Sequence, residues 1–160
     1  MAILAAATLG VTGCSLLTRP GTQKTITLAQ AEQRANSYAQ QISQALPGRP
    51  GLVPNAGGVI PTECGDPNDN GPQGRSSAGG GFFLEPLSQD RIPEVFTSFR
   101  GYLTKRGFKV LTDQSDFLVM TNPKDGFRVG LQEGGDATVK GLGLIVSSPC
   151  VWPNGTPPSK

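Results

Sequence analysis

The stretch GFKVLTDQSDFLVMTNPKDGFRVGLQ, residues 107 to 132, decides the fold. Three apolar, β-prone runs, Phe108 to Thr112, Phe117 to Thr121 and Phe127 to Gln132, are separated only by residues 113–116, which begin with the turn-like DQS, and by NPKDG. Both breaks are rich in turn-forming residues. Breaks this short leave no room for a crossover, so the strands must be antiparallel neighbours. A fourth run, Thr138 to Ser147, follows the turn-like EGGD and extends the series into a meander.

Upstream of this stretch the period changes from two to between three and four. Pro93 to Arg106 reads as a helix with Pro93 in its first turn and Val95, Phe96, Phe99, Tyr102 and Leu103 on one face. Lys105 and Arg106 suit its C-terminal dipole, and Gly107 supplies a left-handed cap. A strand is expected at Gly81 to Leu87. An earlier helix is expected from Thr27 to Leu46, where Thr27 and Gln30 have capping-box spacing and Leu28, Ala31, Ala35, Tyr38, Ile42 and Ala45 form the stripe. Pro47 and Gly48 end it. The order helix, strand, helix, four strands predicts an α+β fold, a two-layer sandwich of antiparallel meander with two helices on one face.

A chain of 160 residues supplies one such domain. Its 22 Gly and 14 Pro crowd between Pro47 and Gly81 and after Cys150. They predict a single domain over 27–152 with an irregular Gly/Pro-rich insert at 47–80, then a disordered tail at 153–160. Gly79 to Gly81 reads as flexible linker, since no GK[ST] follows to make a phosphate loop.

Fourteen Lys and Arg against twelve Asp and Glu, interspersed, give a net charge of +2 and no field suited to nucleic acid. Histidine is absent, which excludes Ser-His-Asp, Cys-His and His-zinc chemistry.

Residues 1–13, MAILAAATLGVTG, carry no charge and have the length and small-residue ending of a secretory signal, too short to span a bilayer. The string VTGC, Val11 to Cys14, resembles a bacterial lipobox. That resemblance implies a diacylglyceryl thioether on Cys14, cleavage before it, and residues 14–26 as a tether holding the domain off the membrane. Two acyl chains suffice for stable anchoring where one is marginal. The expected address is the extracytoplasmic face of the bacterial cell membrane. A basic n-region is missing, which points to a start upstream of Met1.

With Cys14 assigned to lipid, Cys64 and Cys150 remain as an even pair in an oxidising compartment, where a disulfide is the economical reading. Closing a loop of about 87 residues would contribute roughly 4 to 5 kcal/mol in the chain-entropy model. A reactive thiol would lack a histidine partner.

Taken together, the lipobox, the early helix, Cys64 after a loop, the strand GGGFFLEPL, a helix ending near KRGF, the meander and the closing SSPCVW resemble the LppA-like lipoproteins of mycobacteria and related actinobacteria. The likeness is one of layout across most of the mature chain. It implies a surface lipoprotein and carries over no catalytic residue. The glycine-rich string NDNGPQGRSSAGGG has no counterpart in that layout.

The sharpest local motif is DPNDNG, Asp66 to Gly71, which places oxygen donors at Asp66, Asn68 and Asn70 as a calcium loop does. Position twelve, which should be a bidentate carboxylate, is Ser77, so turn chemistry is the preferred reading and no metal is expected. The carboxylate pairs Asp113 with Asp116 and Asp90 with Glu94 read as solvated turn and helix-start residues. Asn154-Gly155-Thr156 reads as a tail turn. Phe82, Phe83, Phe96, Phe99, Phe108, Phe117 and Phe127 are assigned to the core. Trp152 either covers the disulfide or stands exposed as a contact residue. No cofactor is expected. The expected function is a non-catalytic envelope module, binding or structural; a lipid or glycan carrier and a histidine-free hydrolase are the alternatives.

Overall fold

A computed structural model describes residues 23–65, 72–135 and 140–159. The element order is α1 (Leu28–Ala45), β1 (Gly51–Glu63), β2 (Ser76–Glu85), a single 3-10 turn (Gln89–Arg91), α2 (Ile92–Lys105), β3 (Lys109–Asp113), β4 (Phe117–Thr121), β5 (Arg128–Gly135) and β6 (Lys140–Ser147). All six strands form one antiparallel sheet in the order β1-β2-β6-β5-β4-β3. The expected meander, β3 to β6, supplies four of its six strands, and both helices pack on the same face.

Local chemistry sets the helix ends. Thr27 Oγ1 accepts from Gln30 N–H at 3.2 Å while Gln30 Oε1 accepts from Thr27 N–H at 3.0 Å, a complete capping box. At the end of α2, Gly107 at φ +86° lets Phe108 N–H reach the Leu103 carbonyl (3.1 Å) and its own N–H reach Thr104 (3.0 Å). These two bonds are the Schellman pattern.

Helix α1 buries Ala31, Ala35, Ala39 and Ile42, so its small residues let the backbone lie close to the sheet. Ala45, expected in that stripe, is exposed and Ala39 takes its place. The facing strand residues are Leu118 and Met120 of β4, Val129 and Leu131 of β5, Leu142, Leu144 and Val146 of β6, and Phe82 and Leu84 of β2, all buried with Val95, Phe99 and Leu103 of α2.

The segment 47–80 departs from expectation. Residues 51–63 are not irregular but form the 13-residue edge strand β1. Pro54 and Pro61 disguise it, yet an edge strand has one side with no ladder to donate to and tolerates proline. Between Asn55↔Gly81 and Ile60↔Gly79, four residues of β1 stand opposite one of β2. Ala56, Gly57 and Gly58 take positive φ in this bulge. Gly79 to Gly81 are likewise not a linker but the interior of β2. Gly80 is required there, since a Cβ on it would overlap the backbone of Gly58.

The tail also departs. Residues 153–155 clasp the N-terminal end of the domain: Thr25 N–H donates to the Gly155 carbonyl (2.9 Å), Leu28 N–H to Pro153 (3.1 Å), and Trp152 N–H to Thr25 Oγ1 (2.9 Å). The last residues of the expected tether are therefore docked. Gly155, at φ +78°, makes the expected turn, donating to the Trp152 carbonyl.

Candidate functional site

Because successive residues of a strand point to opposite faces, the sheet has a second set of side chains. Among the described residues no helix covers that face. Its residues are unlike those on the helical side: Gly79 and Gly81 of β2, Gly130 and Gly134 of β5, and Gly141 and Gly143 of β6 occupy central strands. Cross-strand register sets these glycines beside the few large side chains. One row runs Val53, Phe83, Gly143, Gln132, Phe117; the next runs Asn55, Gly81, Ile145, Gly130, Val119.

The consequence is a hollow of about 460 Å³ floored by Gly81, Gly134, Gly141 and Gly143 and walled by Asn55, Phe83, Glu85, Gln132 and Ile145. On the other side of Phe83 a second hollow runs to Val53, Pro86, Leu87 and Ile92. Phe83 is thus the ridge between them, 43% exposed, with Val53 beside it equally exposed. The sequence places it in the core, and the structure does not. Phe82 and Phe83 are adjacent on a strand, so burying one must expose the other, and that signal is present in the sequence. Phe117 lies half-buried on the same open face, and Phe96 half-buried at the edge of α2. Phe82, Phe99, Phe108 and Phe127 are core residues.

The structure pairs Cys64 with Cys150 in a disulfide, their Cα atoms 6.1 Å apart. It joins the end of β1 to the segment after β6, where Cys64 N–H donates to Arg75 and Ser76 pairs with Val151. A disulfide suits an oxidising, extracytoplasmic compartment. Trp152 is buried and not exposed, with only 3% of its surface accessible, because the Thr25 and Ser76 bonds on either side draw the segment in and the indole lies over Gly74. Its Nε1 is buried without a hydrogen-bond partner among the described residues.

Cys14, the rest of 1–22 and the loop carrying Asp66, Asn68 and Asn70 lie outside the described residues. Ser77, the residue at position twelve of that loop motif, is in β2. Among the described residues no three His, Cys, Asp or Glu side chains are placed to hold a metal ion, and no helix is long and apolar enough to cross a membrane. The carboxylates weighed for acid–base work are dispersed in exposed pairs. Asp113 takes a two-pronged ion pair from Arg100, and Glu94 pairs with Arg91 at 3.1 Å. The Arg100 hydrogen bonds hold the Asp113 carboxyl below the usual carboxylate range.

One titratable cluster ties the layers together. Tyr38 of α1 donates to Asp125 Oδ2 (2.8 Å) and accepts from Asn122 Nδ2 (2.8 Å), both in the β4–β5 turn. Burial, then the bond to Asp125, pushes the Tyr38 phenol above its ordinary value of 10.0. Edge-on contact with Phe108 and a tilted contact with Phe127 fix the ring. Sequence reading missed this staple, because residues 38 and 125 carry no spacing signal.

Compared with family models, with curated proteins and with solved structures, the chain gives no match.

Proposed function

We propose that the chain is a lipid-anchored extracytoplasmic module that binds its ligand, without catalysis, on the open sheet face. The observation that carries this reading is Phe83 standing as a half-exposed ridge over a glycine floor. Glycine in a strand interior costs backbone entropy and forgoes side-chain packing, and it marks places where something approaches the backbone closely. Here six of them cluster on one face of three adjacent strands.

The chemistry of the walls favours a glycan segment. The Phe83 ring offers a flat apolar surface to the C–H face of a sugar, and Asn55, Gln132 and Glu85 offer amide and carboxylate groups to its hydroxyl rim. A mostly apolar hollow with a few converging polar groups is the usual form of a small-ligand site. The anchor rests on the lipobox at Cys14 and on the disulfide that an exported chain can form; the layout shared with LppA-like lipoproteins supports the same address.

The test is an amide NMR titration with a panel of neutral oligosaccharides. Shifts confined to Gly81, Phe83, Gln132 and Gly143 are expected. Shifts confined to the helical layer, or none across the panel at millimolar concentration, would end the glycan reading.

A further inference from the structure

A different hollow, of about 400 Å³, opens between α1, the end of α2 and the β4–β5 turn. Its walls bring together three cationic side chains, Arg34, Arg106 and Lys124, against one carboxylate, Asp125. That is a local excess of two positive charges.

Asp125 is already occupied. It accepts from the Tyr38 hydroxyl (2.8 Å) and from Phe127 N–H (3.2 Å), and it lies 3.5 Å from Arg34 Nη1. Arg34 therefore offsets Asp125, and Arg106 and Lys124 are left with no carboxylate partner among the described residues. Arg106 is nevertheless held in place. Its guanidinium lies 4.4 Å from the centre of the Tyr102 ring, with Nη1 3.5 Å from Gln41 Oε1. Ser37 Oγ accepts from Gln41 Nε2 (2.9 Å), which leaves the Ser37 hydroxyl proton as a further donor on the same wall.

Two unpaired cations and a hydroxyl donor, presented by a helix, a helix end and a tight turn, form a preorganised receptor for an oxyanion. We propose that this hollow binds a phosphate group, as a monoester or diester. A phosphate monoester, with about two negative charges near neutral pH, matches the excess of two, and a diester, with a single negative charge, matches it in part; the volume exceeds that of a bare oxyanion, so there is room for the group it is attached to. A lipid headgroup and a soluble phosphorylated molecule share this chemistry. The inference is independent of the open face and stands or falls without it.

The full chain is titrated at constant ionic strength with inorganic phosphate and with glycerol phosphate, following amide and arginine side-chain NMR signals. The Cys14→Ser chain, which cannot carry the proposed acyl anchor, is also sedimented with phosphatidylglycerol vesicles and with phosphatidylcholine vesicles. Saturable shifts at Ser37, Arg106 and Lys124 are expected. Arg106→Gln with Lys124→Gln should weaken binding at least tenfold at an unchanged melting temperature. Lys105→Gln with Lys109→Gln, removing the same charge outside the hollow, should leave it within twofold. Saturable binding of the soluble phosphates that the pocket variant alone weakens assigns a soluble ligand. Pocket-dependent sedimentation with the anionic vesicles only assigns a headgroup. Shifts spread over every basic residue, equal losses in both double variants, or no binding in either arm would overturn the proposal. Should the pocket variant fail to fold, Lys124→Gln alone, on an exposed turn, carries the same comparison with a loss of at least threefold expected.

Discussion

The two faces of this sheet are built from the same strands by alternate residues, yet they read as two different materials. On β6, Leu142, Leu144 and Val146 face the helices and are buried, while Gly141, Gly143, Ile145 and Ser147 face away. On β5, Val129 and Leu131 oppose Gly130, Gln132 and Gly134 in the same manner. The covered face maximises apolar volume, which is what a core requires. The open face removes volume from its centre and leaves its apolar bulk around it, in Val53, Phe83, Ile145, Val119 and Phe117. Folding explains the first pattern and does not explain the second.

The largest effect should come from breaking the covered face. Leu144→Ala leaves a cavity under α1 and should cost about 3 kcal/mol in a denaturant melt, whereas Phe83→Ala, on the other side of the same sheet, should cost under about 1 kcal/mol. Equal losses would mean that the open face is structural. Next comes Gly80→Ala. This one glycine points toward the helical side, where its Cβ would overlap the Gly58 backbone, so the bulge of β1 must shift at a cost of about 1 to 3 kcal/mol.

Gly143→Val sharpens the comparison from the opposite direction. A Cβ at Gly143 would meet only the Gln132 carbonyl at 3.6 Å and the Phe82 carbonyl at 3.9 Å, ordinary contacts, and its φ is not positive. Valine there should be neutral or stabilise by up to about 1 kcal/mol through reduced unfolded-state freedom and better strand propensity.

A smaller effect concerns the covered layer's rim. The Tyr38 phenol titrates above its ordinary value, so the folded state favours the neutral form. Its contribution to stability is full below about pH 10 and is lost as pH rises through the folded value. An ultraviolet titration should therefore show a tyrosine ionising late, and Asp125→Asn should move that ionisation part of the way back.

Much of the covered face was legible in the sequence because burial imposes a period. The capping box at Thr27, the Gly107 cap and the β4 limits Phe117–Thr121 were read directly, since each depends on neighbours within a few residues. β1 was not legible, because its prolines and the Ala56-Gly57-Gly58 bulge carry the same composition as a loop, and only pairing with β2 shows otherwise. The docked tail was hidden for a similar reason: its bonds to Thr25 and Leu28 join residues more than a hundred positions apart. Phe83 was misassigned to the core although the pair Phe82-Phe83 held the clue, and the Tyr38–Asp125 staple had no clue at all.

The most direct test of the central claim, that the glycines of the open face serve a ligand and not the fold, is the oligosaccharide titration repeated on Gly143→Val. The account predicts a protein that melts at or above the temperature of the parent and binds at least tenfold more weakly. A variant that melts several degrees lower, or one that binds as the parent does, would contradict it.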